Sequence, residues 1–247
     1  MIATMNAKIY AHRGARRAAP ENTMPAFEKA LEMGVDGVEL DVQCSADGQL
    51  MVIHDFHLDD LTDGTGLVRE QRAAELMKLD AGSHFSADYA GVAIPTLDEV
   101  MDLLQDRCIV NIEIKSNNPE GGAEVEPLVD LLTRRNLHEQ VIVSSFNPTS
   151  LIKMRYMMAE IQIGLLYYEP LPPHLREAWM SWIINPQALH PHYALVDDAL
   201  LAWAAQEGYA VNTWTVNEVA DARRLAQLGV DVIMTDLPDV MIDALRS

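Results

Sequence analysis

Eight short β-rich runs, each followed by a helical stretch, occupy almost the whole chain, and this alternation constrains the fold more than any other feature. The pattern predicts strands over 8–12, 37–42, 108–114, 140–145, 162–166, 186–190, 210–214 and 231–235. It predicts helices over 22–34, 97–106, 122–136, 148–158, 173–182, 197–207, 217–228 and 238–245. Thr96 and Asn217 stand where helix N-caps belong, and Pro148 and Pro238 where a first helical residue belongs. Gly34, Gly208 and Gly229 fall where helices should stop before the next strand. Strands joined by helices are parallel neighbours, and eight such units in 247 residues match an α/β TIM (β/α)8 barrel, a single domain over 1–247.

One strand is left over. Residues 49–54 follow the second strand across Ser45-Ala46-Asp47-Gly48, too short a connection for a parallel crossover, so they form the returning arm of a β-hairpin. A turn centred on Asp47-Gly48 would set Asp41 opposite His54. From 56 to 95 the chain is irregular, with turns at Asp63-Gly64-Thr65-Gly66 and Ala90-Gly91. An insertion of about 40 residues after the second barrel strand is expected to be a lid or binding subdomain, with decoration of the rim as the plainer alternative.

Composition narrows the partners. With 49% hydrophobic residues the chain can bury one large core, yet it contains no apolar run long enough to span a bilayer. Met1 to Ala7 is too short and too polar for a secretory signal, which predicts a cytoplasmic protein, with Cys44 and Cys108 as reduced thiols. A net charge of −19 argues against nucleic acid or an anionic membrane as the main partner. It also disfavours an anionic substrate, unless a cation or local basic groups intervene. A small-molecule substrate and no stable membrane insertion are therefore expected; a homo-oligomer is compatible with the sequence.

The groups able to do chemistry cluster early. Side chains alternate along a strand, so Glu39 and Asp41 share one face, as do Glu113 and Lys115 in Asn111-Ile112-Glu113-Ile114-Lys115. The two strands are neighbours in the predicted barrel, so Glu39, Asp41 and Glu113 converge at its C-terminal mouth. Oxygen ligands of this kind suit one divalent Mg²⁺ or Ca²⁺, the plainer alternative being salt bridges to Lys115. His12 ends the first strand, where barrel enzymes place catalytic groups, and His54 is expected across the same mouth. Two histidines near neutral pKa can act as general base and general acid. Arg13 and Lys115 can hold a phosphate, although Arg13 could instead bridge to Glu21. Pro20-Glu21-Asn22-Thr23 reads as capping and loop shaping.

Phe146 and Trp214, also at strand ends, offer apolar walls for a small polyol, and Trp214 is equally suited to packing under the rim. His190 and Asp236 read as fixing loops and caps, and His57, His84, His138 and His174 as structural. The Met-rich stretch 153–158 reads as packing. No serine–histidine–acid order, P-loop or GxGxxG occurs.

The ordered fragments His12-Arg13-Gly14, Pro20-Glu21-Asn22-Thr23, Glu39-Leu40-Asp41, Asp47-Gly48, His54-Asp55, Glu113-Ile114-Lys115, Ser144-Ser145-Phe146, His190-Pro191, Trp214-Thr215-Val216-Asn217 and Thr235-Asp236 resemble the glycerophosphodiester phosphodiesterase family, related to phospholipase-C-like barrels. The resemblance runs from Ile9 to about Pro238, and Ala15 departs from the glycine that many members carry. It implies a TIM barrel that hydrolyses glycerophosphodiesters to glycerol 3-phosphate and an alcohol with a divalent cation. It further implies His12 and His54 as the catalytic pair, Glu39, Asp41 and Glu113 as metal ligands, and Arg13 and Lys115 as phosphate contacts. Whether water or the glycerol 2-hydroxyl attacks first stays open at this level. A lyase stopping at a cyclic phosphate would want an apolar or basic lip, and a binding protein would have lost a histidine or a carboxylate; neither description suits this sequence.

Overall fold

In the computed structural model, which describes residues 7–169, 178 and 180–246, the first strand sits between the second and the last. Strand β1 (Lys8–His12) pairs in parallel with both β2 (Gly37–Cys44) and β9 (Val232–Thr235), which closes the sheet on itself. Between them run β4 (Ile109–Ile114), β5 (Val141–Ser145), β6 (Gln162–Tyr167), β7 (Ala188–Pro191) and β8 (Ala210–Thr213), each parallel to its neighbours. The result is a closed eight-stranded parallel barrel with helices between its strands, a TIM barrel.

Helices α1 (Met24–Glu32), α3 (Leu97–Leu104), α4 (Val125–Arg135), α5 (Pro148–Met157), α7 (Asp198–Glu207), α8 (Val219–Leu228) and α9 (Pro238–Arg246) follow the predicted pattern, trimmed at their ends. Two short ones, α2 (Ala73–Leu76) and α6 (Ser181–Ile184), join them. The helix predicted over 173–182 falls largely outside the described residues, as does His174.

Local chemistry sets these boundaries. Thr96 and Glu99 form a reciprocal capping box at the start of α3, and the Asn147 side chain accepts from the Thr149 and Ser150 N–H groups ahead of Pro148. Asn217 does not cap: α8 starts two residues later, and its amide is committed to Asp236 instead. Outward residues such as Val38, Leu40, Val42, Val110, Ile112 and Ile114 pack against Phe27, Leu97, Met101, Leu128 and Leu132 of the helices. Inside, Tyr10, Ile142, Val232 and Met234 form a separate apolar plug.

Strand β3 (Leu50–Val52) is the predicted hairpin arm, antiparallel to β2 and outside the barrel. Its register differs by one residue from expectation. Val42 opposes Val52, and the Ile53 N–H donates to the Asp41 carbonyl, so Asp41 faces Ile53 rather than His54. The reason lies in the turn. Ser45 and Gln49 close a loop of three residues, with Gly48 left-handed at φ 79°, where a two-residue turn had been assumed. His54 lies beyond the end of β3. The segment after it has its own apolar cluster, with Leu58, Val68, Leu76, Ala81 and Ile94 packed on Met51 and Ile53 of the hairpin arm. The Tyr89 hydroxyl donates to the Ala18 carbonyl at 2.9 Å, tying this segment to the loop after β1.

Candidate active site

The C-terminal end of β1 turns sharply after His12. Arg13 (φ 58°) and Gly14 (φ 77°) are both left-handed, and a Cβ on Gly14 would come within 2.8 Å of Ala26 on α1. Only glycine tolerates both the conformation and the approach. The turn leaves the Arg13 N–H pointing at Glu39, to which it donates at 3.0 Å. Asn22 locks the loop from the other side: its N–H donates to the Arg13 carbonyl, and its side-chain amide donates to Asp41 Oδ2 at 2.9 Å.

Strand register does the rest. His12 lies beside Glu39 and Asp41 beside Glu113. Glu39, Asp41 and Glu113 can each bring a carboxylate oxygen within 4.8 Å of the others, and they are only 3%, 0% and 8% exposed. Three buried carboxylates so close repel one another strongly unless cations intervene. Two protein cations are present. Lys115 Nζ lies 2.8 Å from Glu113 and 3.8 Å from Asp41, and Arg13 Nε lies 3.2 Å from Asp41. Arg13 also reaches Glu21 at 2.7 Å, so the bridge considered from the sequence forms alongside the contact with Asp41. Burial, then Asp41 and Glu113, push the Glu39 carboxyl well above the usual range. For Asp41 burial works in the same direction, but Arg13, Lys115 and His54 outweigh it and hold the carboxyl at about 2. Asp41 Oδ1 is buried without a hydrogen-bond partner. A hard oxygen donor set, one orphaned lone-pair site and excess negative charge fit a divalent cation.

Each histidine of the expected pair carries a carboxylate on Nδ1. His12 Nδ1 meets Asp236 Oδ1 at 2.7 Å, and His54 Nδ1 meets Asp55 Oδ1 at 2.6 Å. With the Nδ1 proton donated to the carboxylate, Nε2 keeps its lone pair for other work. His12 Nε2 lies 3.9 Å from Glu39 Oε2. Burial lowers the His12 pKa, against the pull of Asp236. Burial pushes the Asp236 carboxyl up, but the hydrogen bond and charge of His12, with Arg16 and Asn217, together outweigh it and hold the carboxyl at about 2. Asn217 donates to Asp236 Oδ2 and accepts from the Asp236 N–H, fixing the carboxylate.

One cavity of about 610 Å³ is lined by His12, Arg13, Glu39, His54, Glu113 and Lys115 on one side and by Phe146, Tyr168, His192 and Trp214 on the other, with Asp41 and Asp236 set behind that lining. Trp214 lines the cavity and also packs against the apolar plug around Tyr10 and Met234, with its indole N–H donating to the His190 carbonyl at 2.8 Å. From the sequence, Asp236, Asn217 and Asn22 were read only as capping or loop-shaping residues, not as supports of the site. Asp236 did follow a predicted strand, and that position was the available signal.

A model of the glycerophosphoryl diester phosphodiesterase family matches residues 12–240. The chain belongs to the glycerophosphoryl diester phosphodiesterase family. A glycerophosphodiester phosphodiesterase of Caldanaerobacter subterraneus subsp. tengcongensis is 41% identical over 98% of this chain and 99% of its own length. Another from Bacillus altitudinis is 35% identical over 94% of this chain and 95% of its own. Among solved structures, an Oleispira antarctica phosphodiesterase in complex with the product sn-glycerol-3-phosphate superposes with a TM-score of 0.88 at 30% identity, covering 97% of each chain. The chain is thus an enzyme, a phosphoric diester hydrolase. Among the described residues, no helix of this phosphodiesterase is long and apolar enough to cross a membrane.

Proposed function

We propose that this phosphodiesterase hydrolyses small glycerophosphodiesters to glycerol 3-phosphate and an alcohol by histidine acid–base catalysis at a divalent cation. Glu39, Asp41 and Glu113 would hold one Mg²⁺ or Ca²⁺. When bound, the cation supplies positive charge against the phosphodiester and polarises its phosphoryl group. Arg13 and Lys115 grip the non-bridging oxygens, and Phe146 and Trp214 wall in the organic part. One histidine of the His12/His54 pair takes the proton from the attacking oxygen as its bond to phosphorus forms. The other returns a proton to the alcohol oxygen as its bond breaks. Asp236 and Asp55 hold the two rings so that Nε2 carries both transfers. Substrates of this size reach the site without a membrane, in keeping with a cytoplasmic protein that binds small soluble molecules.

The observation that carries this reading is the matched pair of Nδ1–carboxylate contacts, 2.7 Å and 2.6 Å, on histidines lining the same cavity as Glu39 and Glu113 of the three-carboxylate cluster. The test is release of glycerol 3-phosphate from glycerophosphoethanolamine by chelated enzyme, before and after adding Mg²⁺ or Ca²⁺. Release restored by either ion supports the reading. Equal release from fully chelated enzyme would remove the cation from it, and no release with either ion would contradict it.

A further inference from the structure

Arg16 stands three residues beyond Arg13 on the loop after β1, and unlike Arg13 it does not line the cavity. Its guanidinium spans two carboxylates. Nη2 pairs with Glu21 Oε2, and Nη1 lies 3.6 Å from Asp236 Oδ1. Both carboxylates already serve the site. Glu21 gives its other oxygen to Arg13 Nη1 at 2.7 Å, and Asp236 Oδ1 meets His12 Nδ1, also at 2.7 Å. The side chains therefore form one continuous line, Arg13–Glu21–Arg16–Asp236–His12, alternating in charge along its first four members.

The fold explains why the line closes. Strands β1 and β9 are neighbours, so the loop that follows β1 lies beside Asp236, the residue after β9. The Glu21 and Asp236 side chains are only 7% and 10% exposed, and that of Arg16 is 30% exposed. Two carboxylates so deeply placed repel each other, and the guanidinium stands between them. Ion pairs that water reaches contribute little to stability, but a planar fork fixes the direction of what it holds. Asn217 donates to Asp236 Oδ2, so Arg16 and Asn217 grip the carboxylate from opposite oxygens while His12 shares Oδ1.

We propose that Arg16, anchored by Glu21, is a positioning residue that holds Asp236 so that the His12 ring stays aligned for proton transfer. This rests on the phosphodiesterase reading above and adds to it a residue outside the cavity.

The experiment measures glycerol 3-phosphate release from glycerophosphoethanolamine by metal-loaded Arg16→Gln, in the wild-type and Asp236→Ala backgrounds. In the wild-type background kcat should fall about five- to tenfold with KM little changed. In Asp236→Ala the same substitution should leave kcat within about twofold, because its route to His12 is already cut. Arg16→Lys keeps the charge but not the fork, and should show a smaller loss that also vanishes in Asp236→Ala. A residue that merely braces the fold would lower kcat by the same factor in both backgrounds. That result, or an unchanged kcat in Arg16→Gln, would overturn the proposal and leave the phosphodiesterase reading standing. No release by the folded wild type with metal present would overturn both.

Discussion

Asp236 reaches His12 from the far end of the chain, 224 positions away, and this contact occupies Nδ1, leaving Nε2 for the proton transfer proposed above. Removing the carboxylate in Asp236→Ala leaves Nδ1 without its acceptor and frees the ring to turn or change tautomer. The expected result is a fall in kcat of about 10–100-fold with KM little changed, measured by steady-state kinetics. An unchanged kcat would show that His12 needs no such support. Residues of this class were hard to read from the sequence. His12, Glu39, Asp41, His54 and Glu113 stand out because their local motifs imply chemistry. Asp236 and Asn217 fall in recognisable fragments, but their partners lie across the barrel mouth, and the fragments alone do not say that Asp236 meets His12.

His190 belongs to the same scale but serves stability. It is buried inside the barrel, with Nε2 3.0 Å from the Asn212 amide, and burial lowers its pKa to about 3. The unfolded chain takes up this proton near 6.5, so between 6.5 and about 3 the unfolded state binds more protons than the folded one. Stability contributed by the neutral ring is thus complete above that window and declines as pH falls through it. Urea titrations at about pH 7 and about pH 4.5 should show a smaller acid-induced loss in His190→Gln than in the wild type. Equal losses would contradict a neutral, buried His190.

At the scale of elements, the strands were legible as apolar runs, and several helices by their end signals: Thr96 ahead of α3, Asn147-Pro148 at α5, and Gly208 and Gly229 closing α7 and α8. The hairpin register was not. A two-residue and a three-residue turn fit Ser45-Ala46-Asp47-Gly48-Gln49 equally well on paper; the two-residue type would need Asp47 left-handed as well as Gly48, and here only Gly48 is. Packing between β6 and β7 was equally hidden. A Cβ on Gly164 would lie 2.4 Å from the His190 ring, so β6 must present a glycine where β7 presents an imidazole. Gly164→Ala should destabilise the fold by about 1–3 kcal/mol in urea unfolding, whatever it does to activity. A neutral outcome would mean that His190 can move aside at little cost.

Across the whole molecule, the barrel concentrates negative charge where its parallel strands end. The three carboxylates that line up at β2 and β4 belong to a chain with net charge −19, so a bound cation should stabilise the folded state as well as serve the reaction. With free Mg²⁺ or Ca²⁺ at about a hundred times its dissociation constant, linkage gives roughly 3 kcal/mol and a rise in Tm of about 5–10 °C over chelated protein. Identical melting with and without metal would argue against a site on Glu39, Asp41 and Glu113. The barrel itself was the most legible level of all, because eight strand–helix units in a chain of this length leave few other ways to cover a parallel sheet. The segment over 56–95 was legible only as an insertion, since its cluster around Leu58, Val68 and Leu76 follows no single period.

The central claim is proton transfer by His12 and His54 at this mouth, and it is tested most directly by kcat for glycerol 3-phosphate release in His12→Ala and His54→Ala, each loaded with the activating metal. The account predicts a loss of about 10²–10⁴-fold in each, with metal-induced thermal stabilisation retained. Wild-type kcat in either variant would contradict it.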